Sequence, residues 1–147
     1  SLDEILAAFW IMTVDRPHRL REGVCFHRAS GCDLFFVTIR KSEREYSPST
    51  LYRDFALSPE RFHWDSQSTT REDSAEGRRY RSHHLGGSHA LLFVREQRKD
   101  DRGQTMPYLF LGPAGYISHE GERPMAITWR LKHPIPIQFY RTMRLAS

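Results

Sequence analysis

A chain of 147 residues with 39% hydrophobic and 27% charged residues has material for one core, which sets aside intrinsic disorder and gives a single domain over 1–147. No apolar run reaches the roughly 18 residues of a membrane-crossing helix and no basic-then-apolar leader is present, so the expected setting is cytoplasmic and away from membranes. Only Cys25 and Cys32 occur, too few for a disulfide framework and at a spacing that fits no zinc pair.

The net charge of +4 is unevenly spread. Residues 1–40 hold five basic and five acidic groups and residues 41–77 five and eight, whereas residues 78–147 hold twelve and five, for +7. The second half is therefore the expected face for a polyanion. Nearly all the cations are Arg, which suits bidentate contacts to phosphate or guanine.

In chain order, Ser1–Met12 has helical apolar spacing with a Ser1/Glu4 capping box. Because the chain starts inside it, an excised piece of a longer protein is expected. Strands over 23–28 and 33–40 flank a Ser30-Gly31 turn, and the second is apolar on both faces, as a strand buried on both sides would be. Ser47-Pro48 and Ser58-Pro59 each put a serine at an N-cap and a proline at the first helical position, predicting two short helices that deliver Phe62 to Gln67 to one place. Residues 67–87 are polar and predict a mobile loop. Ala90–Arg95 reads as an interior strand and Asp101-Arg102-Gly103 as a hairpin tip. Two strands then follow, 107–111 and 115–119, separated by Gly112-Pro113. Met125, Ile127, Trp129 and Leu131 alternate with Thr128, Arg130 and Lys132 as in a half-buried strand. The alternation resumes after Pro134, predicting a last strand that shares Tyr140 and Arg144 with the basic surface. The expected fold is mainly β (α+β): a compact barrel-like sheet of about seven or eight strands with two or three short helices.

The chemistry-bearing residues point to binding more than to catalysis. Eight histidines raise the question of a metal, but no dense ligand spacing is present, so no metal, cofactor or catalytic residue is assigned. The block around Phe62 offers His63, Trp64, Ser66, Gln67 and Ser68, a ring beside amide and hydroxyl groups that could hold or read a base. A second hairpin offers Ser118, His119 and Arg123, and Tyr80 sits in the basic run between them. Candidate phosphate contacts are Arg40, Lys41, Ser42, Arg78, Arg79, Arg130, Lys132, Tyr140 and Arg144. For several of these, Phe62 and Trp64 above all, a core or plain surface role competes with contact.

The blocks Tyr46–Ala56, Phe62–Ser68, Leu92–Glu96, Phe110–Gly112 and Tyr116–Trp129 resemble, in this order, the uncharacterised C-terminal domain of bacterial restriction-type DEAD/DEAH-box helicases. Those proteins often also carry a phospholipase-D-like nuclease domain. The likeness runs from about Glu22 to Pro136, with Asp65 standing where the family is expected to favour Gln. It implies a module that works beside a motor and a nuclease in restriction or antiphage defence. The expectation is a non-catalytic DNA-recognition domain for double-stranded DNA, modified or not. Two alternatives stay open: a docking domain of the helicase that never touches DNA, and a metal-dependent nuclease using Asp65, Glu120 and Glu122.

Overall fold

The computed structural model describes residues 23–40 and 55–146. Seven strands form one mixed sheet: β1 (Val24–His27), β2 (Cys32–Arg40), β3 (Phe55–Ser58), β4 (Arg61–Asp65), β5 (Ala90–Gln97), β6 (Leu109–Glu120) and β7 (Ala126–Leu131). Two helices accompany them, α1 (Ala75–Gly86) and α2 (Ile137–Ala146). The strand order is β1-β2-β5-β6-β7-β4-β3, with β2 and β5 parallel and the other neighbours antiparallel. The α+β class is as expected, but the sheet ends at β1 and β3 and does not close into a barrel.

Burial on both sides of β2 follows from its sequence. Phe35, Val37 and Ile39 enter the main core with Leu92, Val94, Trp64, Ile127 and Trp129. Leu34 and Phe36 pack on the opposite face with Cys25, Cys32, Leu91 and Phe93. The parallel register sets Phe35 beside Leu92 and Phe36 beside Phe93, so each face is built of matched apolar pairs. Phe35 is the hub: its ring lies 4.6 Å from Trp64, 5.4 Å from Tyr80 and 5.4 Å from Trp129.

Four expectations are corrected. Ser58-Pro59 starts no helix; it turns the β3–β4 hairpin, and the Ser58 hydroxyl accepts from the Glu60 N–H at 3.3 Å. The polar stretch after Gln67 is not simply a loop, because Ser74 caps α1 by accepting from the Gly77 N–H at 3.1 Å. Residues 107–119 hold one long strand, β6, which runs through Gly112-Pro113 with an irregularity opposite Leu92 and Phe93. The last segment is α2 and not a strand: Phe139, Tyr140 and Met143 meet the core at helical spacing, with Met143 fully buried. The helices expected over 1–12 and after Ser47 lie outside the described residues, as do Lys41 and Ser42.

Candidate nucleic-acid interface

β6 runs on past the start of β5: their ladder ends at Ala90↔Ala114, and Gly115–Glu120 is paired to β7 alone. The end of α1 lies beside this stretch, and a cleft of about 350 Å³ opens there. Its floor is Pro113, Ala114, Gly115 and Tyr116 of β6. One wall is Tyr80, His83, His84, Ser88 and His89, at and just beyond the end of α1. Arg130 and Lys132 complete it, and the lining contains no carboxylate. Arg130 also stands directly opposite Arg61 of β4, with both exposed. Like charges across a ladder destabilise the sheet unless something negative comes between them. Among the described residues neither Arg61, Arg130 nor Lys132 forms an ion pair with a carboxylate.

A buried network holds α1 against the sheet and shapes the cleft wall. Asp33 is fully buried on β2 and is gripped by a guanidinium fork, Arg79 Nε to Oδ2 at 2.7 Å and Nη2 to Oδ1 at 2.8 Å. His83 Nε2 meets the same Oδ2 at 2.7 Å, and its Nδ1 lies 2.7 Å from Ser88 Oγ. Burial works to lower the Arg79 pKa, but the hydrogen bonds and charge of Asp33 outweigh it and raise it. Phe26 covers the outer side of the guanidinium, 4.0 Å from ring centre to Cζ. A second chain of the same kind ends on Tyr116: Glu72 Oε2 lies 2.8 Å from His119 Nε2, and His119 Nδ1 lies 2.7 Å from the Tyr116 hydroxyl. Each pair of carboxylate and imidazole thus orients one hydroxyl-bearing residue of the cleft.

The two blocks suggested by the sequence do meet, through the segment between Ser66 and Ser74. Met125 N–H donates to Ser66 Oγ at 2.8 Å, Arg123 N–H to the Thr70 carbonyl at 2.9 Å, and Glu72 N–H to Glu122 Oε2 at 2.9 Å. The geometry occupies several of the expected base readers. Trp64 and Tyr80 are core rings, and burial drives the Tyr80 phenol pKa strongly upward. The Ser66 hydroxyl is buried in the strut to Met125, and the Gln67 amide bonds to the Tyr80 hydroxyl at 3.1 Å and to Thr70 Oγ1 at 2.9 Å. His63 is held 3.0 Å from Asp65 and stacks on Phe55. Ser68, Ser118 and Arg123 are exposed.

Of the phosphate candidates, Arg130 and Lys132 share the cleft, whereas the Arg79 charge is matched by Asp33. Arg78 is exposed on α1, and Arg40 ends β2. Tyr140 and Arg144 belong to α2 and not to a strand beside Arg130. Nothing in the sequence marks Arg61, His84, Ser88, His89 and Tyr116 as a group. Only their clustering in three dimensions unites them, although the His83-His84 and His89 run was a visible signal.

Residues 7–143 match the family described as a domain of unknown function, DUF3427. The chain belongs to the DUF3427 family. Nothing matches it among curated proteins. The match spans every described strand and both helices but stops short of the last residues of α2, so the cleft is built wholly from DUF3427 residues. Among those described, no three His, Cys, Asp or Glu side chains converge as metal ligands, and no helix is long and apolar enough to cross a membrane.

Proposed function

We propose that this DUF3427 domain binds DNA through the cleft beside β6 and the Arg61–Arg130 ridge, as the recognition module of a restriction or antiphage helicase-nuclease. The observation that carries the reading is the cleft's charge: Arg130 and Lys132 line it and no carboxylate does. Unpaired cations beside one another are costly to hold together, and phosphate offsets that cost while releasing counterions from the nucleic acid. Exposed Ser68 and Arg123 in the neighbouring turns and Ser118 on β6 supply polar groups for base contact.

The same network argues for binding without a catalytic step. Asp33, His83 and Ser88 follow the order of orienter, base and hydroxyl. The Arg79 fork, however, engages both Asp33 oxygens, leaving little charge to stabilise an imidazolium. The chain is a clamp that fixes α1 and aims Ser88.

Titration of a labelled duplex at several salt concentrations tests the reading. Binding is expected to fall steeply with salt. The double variant Arg130→Ala/Lys132→Ala is expected to reduce the log–log salt slope by about 2, roughly one for each phosphate left without its cation. Absence of duplex binding at low salt, with plain and modified DNA alike, would refute it. Arrays of methylated, hydroxymethylated and phosphorothioated duplexes then separate sequence reading from modification reading.

A further inference from the structure

We infer that the cleft is a slot for one nucleotide whose base carries an exocyclic amino group, held by Ser88 Oγ as an acceptor. The inference rests on the DNA-binding reading for its polymer and on the hydrogen-bond network for its selectivity. A cleft of about 350 Å³ is near the lower end of ligand cavities, which run from roughly 300 Å³ upward. That space suits a single base with its sugar, which a duplex can supply by presenting a nucleotide turned out of its stack. The walls are laid out for such a guest, with Pro113, Ala114 and the Tyr116 ring giving apolar contact and Arg130 and Lys132 placed for the phosphate.

The selectivity comes from counting protons. Asp33 has no proton to give, so His83 Nε2 must donate to it across their 2.7 Å contact. Arg79 already balances that carboxylate. A second proton, on Nδ1, would place on a buried ring a charge that Asp33 is not left to balance, so the single ring proton is taken to be the Nε2–H. Its Nδ1 is then an acceptor, and the Ser88 hydroxyl donates to it at 2.7 Å. With its one proton committed, Ser88 Oγ offers the cleft only lone pairs. An amino group on adenine, cytosine or guanine satisfies them; a carbonyl at the same place meets oxygen with oxygen.

The test is an NMR titration of the 147-residue chain with dCMP and dUMP, which differ by an amino group against a carbonyl at C4 and in the linked N3. The expected result is dCMP binding about tenfold tighter than dUMP, the order set by one desolvated hydrogen bond. Amide shifts should centre on Ser88, His89 and Gly115. Ser88→Ala is expected to erase the preference and Ser88→Thr, which keeps the hydroxyl, to retain it. Equal affinities, tighter dUMP, or no response to millimolar dCMP would overturn the slot. Duplex binding without a dCMP response would sink the slot and leave the DNA-binding reading standing. A selective dCMP response without duplex binding would uphold the slot and sink that reading.

Discussion

A single carboxylate, Asp33, holds more of the site in place than any cation in it. It is fully buried, takes hydrogen bonds from Arg79 and His83, and through His83 sets the direction of Ser88. Removing one member of a buried charge pair costs about 3–5 kcal/mol, and the partial exposure of Arg79 places Asp33→Ala toward the lower end. Chemical denaturation should show a loss of about 3 kcal/mol with the slope unchanged. Trp64→Ala tests the other side of the residue question. Its ring is wedged between Phe35 and Tyr80, so the expected outcome is destabilisation by about 3–5 kcal/mol, not a selective loss of binding in a stable fold. From sequence alone Trp64 could equally have been a stacking surface, since a ring two residues from Phe62 fits either a core or a base platform. The three-dimensional neighbours decide it.

The elements that were legible are those whose apolar residues alternate. The run Met125 to Leu131 showed β7, and the two-faced run after Cys32 showed a strand buried on both sides. α1 was invisible because it has almost no apolar stripe. Gly77, Tyr80 and His83 are its only buried residues, and two of the three carry no hydrophobic signal. It is held by Asp33 and by a close approach of backbone: a Cβ on Gly77 would collide with the carbonyl oxygen of Arg71. Gly77→Ala therefore forces either the helix start or the turn before it to move, at about 1–3 kcal/mol, despite the better helix propensity of alanine. Thermal unfolding of the variant checks this. α2 looks like a strand in the sequence for a different reason. Apolar residues at 137, 139, 143 and 145 fit alternation, whereas the side chains that meet the core, Phe139, Tyr140 and Met143, follow the turn of a helix. The cleft was half legible. Arg130 and Lys132 stood out as an exposed strand face, but the sequence could not place them beside residues some forty positions earlier.

For the molecule as a whole, the buried phenol and thiol make alkaline pH the vulnerable side. Burial, with a further push from Asp33, raises Cys25 above its ordinary value of 9.0. Tyr80 moves the same way from 10.0, again chiefly by burial. In both cases the native state keeps a proton that the unfolded chain releases. Stability is thus fully present below the unfolded values and declines as pH climbs through about 9 to 10 and beyond. Calorimetric scans across that range should show the midpoint falling, and Tyr80→Phe should blunt the fall.

The way the strands are threaded has a consequence for the chain's integrity. β4 precedes the exposed Ser68-Thr69 turn yet pairs with β7, which follows it, and β2 pairs with β5 in the same manner. A protease cut at that turn would leave two polypeptides clasped by two separate ladders. Nicked protein should run as one particle on a sizing column and as two bands once boiled in detergent, and the halves made apart should reassemble on mixing.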